Sequence, residues 1–158
     1  MKRIFALILA MLVVLSMAAC GAKPEPTEAP KEPADLNALY ESYTANLPAM
    51  FPIDETTMLN FVGMKAEDCT QVVIAVCANG LRTDEVWLVE AKDTAALERI
   101  QALVNSRLAA KEDETISYAP DQYAVVEQAE VVTDGLYLAL LVSPDVDTLK
   151  ATFEAAFN

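Results

Sequence analysis

Residues 1–20 decide which part of this chain is free to fold. Lys2 and Arg3 precede an unbroken apolar run from Ile4 to Val14, and Leu15-Ser16-Met17-Ala18-Ala19-Cys20-Gly21 comes next. A basic start, a short apolar stretch and small residues at a cleavage point form the pattern of a secretory signal peptide. A cysteine directly after Ala-Ala makes it a lipoprotein leader. Residues 1–19 are then expected to be removed, and Cys20 to carry lipid as the first residue of the mature chain. A retained transmembrane helix fits less well, because it needs about 20 apolar residues. One acyl chain holds a protein only marginally, at roughly 0.8 kcal/mol per buried CH₂, whereas the two chains of a diacylglyceryl group give a stable tether. The sequence therefore places the protein at the extracytoplasmic face of the membrane, anchored by lipid.

Residues 20–34 read as the lipidated cysteine and a linker. Lys23-Pro24-Glu25-Pro26-Thr27-Glu28-Ala29-Pro30-Lys31-Glu32-Pro33 has four prolines and no large apolar side chain. Such a stretch cannot bury enough surface to order itself. In a polyproline-like state it extends at about 3.1 Å per residue, which would hold the folded part some tens of ångströms from the bilayer. Residues 35–158 remain as one domain of usual size.

The formal net charge is −13. Cleavage would remove two cations and no acid, making it more negative still. So acidic a chain is poorly suited to nucleic acid, whose phosphates call for basic side chains, or to lying flat on anionic lipid. High charge keeps a protein soluble, and it also suits a basic partner or loosely held cations.

In the folded part, Asp35 is placed to cap a helix with Leu36, Leu39, Tyr40, Tyr43 and Leu47 at helical spacing, stopped by Pro48. A short helical piece from Asp54-Glu55 carries Met58, Leu59, Phe61 and Val62 and closes at Gly63, with another turn over 65–68. Gln71 to Ala78 is β-branched and continuously apolar, as a buried central strand is. Asn79-Gly80 is a strong hairpin signal, since both residues tolerate positive φ. Asp84 to Ala91 is then the returning strand.

A long helix comes after it, capped by Asp93 or Thr94, with Leu97, Ile100, Leu103, Val104 and Leu108 inside. It is expected to end in the solvated run Lys111-Glu112-Asp113-Glu114. Pro120 opens a brief helix through Tyr123 and Val126. Glu130 to Thr133, Asp134-Gly135 and Leu136 to Val142 form a second hairpin. Ser143-Pro144 starts a last helix with Val146, Leu149, Phe153, Ala156 and Phe157 as its buried stripe. The order α-ββα-ββα implies an α+β two-layer sandwich, with an antiparallel sheet from two hairpins and helices on one face.

Cys69 and Cys77 are the remaining cysteines. Exported proteins often pair theirs. At about 3.3 Å per residue, however, one strand between them sets them more than about 20 Å apart. A disulfide needs Cα atoms within about 7 Å, so two free thiols are expected.

Several local strings resemble a family of bacterial lipoprotein domains of unknown function, the one numbered four-three-five-eight, common in Clostridia-like Gram-positive bacteria. They are the leader and Pro/Glu linker, then Thr83-Asp84-Glu85-Val86-Trp87-Leu88-Val89-Glu90-Ala91-Lys92-Asp93. Arg107-Leu108, Tyr118-Ala119-Pro120-Asp121 and Asp134-Gly135-Leu136-Tyr137 continue the likeness. Their order and spacing cover nearly all of 36–158. The resemblance implies a location and a fold type; it brings no activity and no catalytic residues.

No histidine is present. That removes the commonest general base and zinc ligand and any Ser-His-Asp or Cys-His site within the chain. Two cysteines alone make a poor zinc site, and no Gly-rich phosphate loop is present. No catalytic residue, metal or cofactor is assigned. What remains is carboxylates and aromatics. Of adjacent Asp84 and Glu85, one is expected to face inward toward Arg107 or Lys92. A strand-edge salt bridge and a carboxylate that binds a partner or cation both fit. Tyr118, Tyr123 and Tyr137 could line a groove with Trp87, or finish the rim of the core.

The sequence thus points to a non-enzymatic binding or accessory module of the cell envelope. Its contacts would be the membrane, through N-terminal lipid, and another exported protein or a wall component. The alternatives are a small-ligand or cation receptor with an acidic and aromatic cleft, and a carboxylate-based glycan hydrolase, which needs two acids about 5–9.5 Å apart.

Overall fold

The computed structural model describes residues 34–157. The leader, Cys20 and the linker up to Pro33 lie outside the described residues.

Helix α1 spans Leu36–Tyr43, with the Asp35 carboxylate accepting from the amides of Asn37 and Ala38. The short strand β1 (Met50–Pro52) and helix α2 (Glu55–Val62) come after it. Asp54 caps α2 by accepting from Thr57 N, and Gly63 ends it at φ 74°, a left-handed conformation that costs glycine little. Strands β2 (Cys69–Cys77) and β3 (Glu85–Ala91) come next, then helix α3 (Thr94–Tyr118), helix α4 (Tyr123–Glu127), strands β4 (Glu130–Asp134) and β5 (Tyr137–Val142), and helix α5 (Val146–Ala155). The sheet is antiparallel throughout, in the order β1-β2-β3-β5-β4.

The expected α+β class and antiparallel sheet are present, but helices cover both faces of the sheet rather than one. Trp87, Val89, Leu138 and Leu140 face a core built with Met58 of α2, Ile100 and Val104 of α3 and Val126 of α4. Val86, Leu88, Ala139 and Leu141 face a second core built with Leu36, Leu39 and Tyr43 of α1 and Leu149 and Phe153 of α5. Residues Val86 to Val89 are at most 1% exposed. Successive strand residues point to opposite sides, so a run buried at every position needs cover above and below.

Three local features also differ from the sequence reading. Met50–Pro52 adds a fifth strand, pairing with Ala75–Cys77 at the edge. The β2–β3 connection is a loop over 78–84 rather than a two-residue turn. In it Arg82 N donates to Asn79 O at 2.9 Å, Leu81 N donates to Asn79 Oδ1 at 3.0 Å, and Gly80 has no positive φ. Helix α3 runs through Lys111-Glu112-Asp113-Glu114 to Tyr118. Lys111 and Thr115 are both buried there, so the inner face of α3 continues as a polar stripe where its apolar stripe stops. The second hairpin has the two-residue connection its Asp134-Gly135 signals, with Gly135 at φ 58°. Cys69 and Cys77 are unpaired at opposite ends of β2.

Candidate functional site

Where α3 turns polar, it passes over the first residue of β3. Glu85 lies on the same face of the sheet as Trp87, opposite Val142 on β5. Its side chain has no exposed surface. An isolated carboxylate cannot stay charged in such a place, and Glu85 is far from isolated. Arg107 Nε donates to Oε1 at 3.0 Å, and Arg107 Nη2 donates to Oε2 at 2.8 Å. Lys111 Nζ stands 2.9 Å from Oε2. Trp87 Nε1 donates to Oε1 at 2.7 Å. Burial alone would raise the Glu85 pKa, but the Arg107 hydrogen bonds and the charges of Lys111 and Arg107 outweigh it and hold it below the ordinary 4.5. Burial pulls the Arg107 guanidinium down, and Glu85 more than restores it, so its pKa is raised.

Arg107 and Lys111 are four residues apart, which puts both on one face of α3. Their side chains are 15% and 9% exposed. Lys111 Nζ also donates to Thr83 O at 2.9 Å, tying α3 to the strand that enters β3. The Arg107 guanidinium lies over the Phe61 ring, 4.5 Å from its centroid, and Nη1 is 4.0 Å from the largely exposed carboxylate of Glu114. Beside this group, Asp84 is held by Arg82 through a two-toothed pair, Nε to Oδ2 at 2.8 Å and Nη2 to Oδ1 at 3.0 Å.

These residues line a cleft of about 520 Å³, with Val76, Cys77, Thr115 and Tyr118 completing parts of its wall. That volume suits a small organic ligand. Residues 34–157 contain seven lysines and arginines, and three of them, Arg82, Arg107 and Lys111, meet here. The Thr83 hydroxyl is buried in the same wall with no hydrogen-bond partner among the described residues.

The residues singled out from sequence fall in three places. Asp84, Glu85, Arg107 and Tyr118 share this cleft, and of the two cations considered for the inward-facing acid, Arg107 is the one that meets Glu85. Trp87 does not line the cleft: it is fully buried and is joined to it by its hydrogen bond to Glu85. Tyr123 belongs to α4 and Tyr137 to the opposite face, where its ring packs on Phe157 with centroids 4.5 Å apart and its hydroxyl accepts from Ala34 N. Sequence reasoning missed Arg82, Thr83 and Lys111. The signal for Lys111 was its step of seven from Val104 and four from Arg107, which continues the inner face of α3.

Chemically, the cleft presents donors rather than bases. Both central carboxylates already accept from cations, and a Glu85 pKa below the ordinary value is the wrong direction for an acid catalyst. Among the described residues, no group of three or more aspartate, glutamate or cysteine side chains is placed to hold a metal ion. No described helix is long and apolar enough to cross a membrane.

The fold and site define a small α+β domain with an internally ion-paired cleft at one end of its sheet. A family model described as a domain of unknown function, DUF4358, matches residues 43–143, and the chain belongs to that family. No curated protein and no solved structure matches it.

Proposed function

We propose that this protein is a lipid-anchored extracytoplasmic module that binds a ligand in the Glu85–Arg107–Lys111 cleft and carries out no covalent chemistry. The leader and Cys20 supply the tether, and the Pro/Glu linker supplies the reach. The observation that carries the binding role is the state of the cleft's charges. Glu85 pre-positions two donors on α3, and both buried carboxylates, Asp84 and Glu85, are already taken up by cations. A cation receptor draws less support, because Asp84 and Glu85 are already occupied by arginine and lysine.

Two measurements in cells test this reading. Labelling with an alkyne-tagged fatty acid should mark the chain, and C20A should lose both the label and the membrane association. A photo-crosslinking residue at Tyr118, on the cleft, should give a defined adduct that one at Phe51, exposed on the edge strand, does not. An unlabelled chain in the cytosolic fraction, or identical crosslinking from both positions, contradicts it.

A further inference from the structure

We infer that the cleft is a receptor for a monocarboxylate bearing an adjacent apolar or aromatic group. This rests on the binding role proposed above and names the ligand class. Glu85, Arg107 and Lys111 form a buried trio of one acid and two cations, so it carries one net positive charge. The neighbouring Arg82–Asp84 pair is neutral. A buried charge is costly unless it is paired, and the balance here calls for one further negative charge. The resident supplier is Glu114, which is poorly placed for it: its carboxylate is 4.0 Å from Arg107 Nη1 and its side chain is 65% exposed. An incoming carboxylate displaces it.

The donors for that carboxylate are in position. Arg107 uses Nε and Nη2 on Glu85 and leaves Nη1 toward the mouth. Lys111 has three N–H bonds and spends two, on Glu85 and Thr83 O. The Thr83 hydroxyl, on a residue only 8% exposed, supplies a third donor and has no other partner among the described residues. The negative end of the α3 dipole lies near Tyr118, but its effect fades within the last turn, and Lys111 is about two turns away. The cleft is far roomier than a bare carboxylate needs. Phe61 and Tyr118 line its mouth, at 41% and 88% exposure, and offer aromatic surface to the rest of the ligand.

Trp87 is the single tryptophan of the chain and is bonded to Glu85, so its emission reports on the trio. The test titrates the full chain, in detergent micelles, with N-acetylphenylalanine and with its amide. Parallel arms use a tetrapeptide ending in a free phenylalanine carboxylate, its amidated twin, and inorganic phosphate. The acids should give a saturable change in Trp87 emission at least tenfold tighter than the amides. T83V should weaken that binding several-fold without lowering the unfolding midpoint, and E114Q should tighten it about three- to tenfold. The free acid binding better identifies a small-molecule source, and the peptide binding better identifies a chain terminus. The inference is overturned if acid and amide titrate alike, if neither acid saturates, if phosphate binds as tightly as the acids, or if E114Q fails to tighten binding. Failure of the acids alongside an intact Cys20 tether and a Tyr118-specific crosslink removes the ligand class alone. Loss of all three removes the binding role as well.

Discussion

Replacing Glu85 should cost this domain more stability than replacing either of its cations. The side chain is fully buried and accepts from Arg107, Lys111 and Trp87. E85Q removes its charge and leaves two cations, 15% and 9% exposed, facing each other with no counter-charge between them. Breaking a buried pair in this way costs about 3–5 kcal/mol, a large part of the roughly 5–15 kcal/mol that holds a domain folded. K111M acts in the opposite sense. It leaves the Glu85–Arg107 pair neutral and strands only the Thr83 carbonyl, a loss of about 1–3 kcal/mol. The asymmetry comes from the trio's one surplus positive charge and requires no knowledge of a ligand. Thermal unfolding, followed by Trp87 emission and by far-ultraviolet circular dichroism, measures both. E85Q should lower the thermal midpoint by roughly 10–20 °C for a domain of this size, and K111M by about half as much. Equal losses, or a greater loss for K111M, would refute the charge count.

Three further outcomes are expected. The Glu85 pKa is lowered on folding, so its contribution is fully present above the unfolded value and is lost as pH falls through the folded one; acid unfolding of the wild type should show a component below pH 4.5 that E85Q lacks. G63A, at φ 74°, should destabilise by about 1–2 kcal/mol in chemical unfolding, whereas G80A, with no positive φ and nothing within 4 Å of an added Cβ, should be neutral or slightly stabilising. Burial and the Asp68 charge push the Cys69 thiol up to about 11, so at pH 8 only roughly one in a thousand is ionised, and peptide mapping after iodoacetamide treatment should find Cys69 largely unmodified until the domain unfolds.

Much of the fold can be read from residue spacing. Asp35 and Asp93 sit where caps were expected and Asp54 where a helix was expected to start, and each accepts from an amide in the first turn of its helix. The strand runs around Ile74, Trp87 and Leu140 pair as an antiparallel sheet. The cover on both faces was encoded in Val86-Trp87-Leu88-Val89, whose unbroken apolar character exceeds what one helical layer needs. It was hidden because the count of helices does not say which side each one takes.

The site was only half legible. Glu85 with Arg107 could be reached from an acid on a buried strand. Lys111 could not, because its neighbours Glu112 and Asp113 make the segment look solvated, and only the helical phase from Ile100 and Val104 turns it inward. Likewise the Tyr118, Tyr123 and Tyr137 grouping dissolves because closeness along the chain says nothing about which face of a sheet a residue reaches.

The binding role depends most directly on the charge of one buried carboxylate. Carbon-13 labelling of the glutamate side chains, with the Glu85 signal assigned by its loss in E85Q, allows that group to be followed by NMR from pH 8 downward. The Glu85 resonance should stay at its ionised position below pH 4.5, until the domain itself unfolds. A resonance that titrates at or above 4.5 in the folded protein would contradict the ion-paired cleft and, with it, the ligand-binding role.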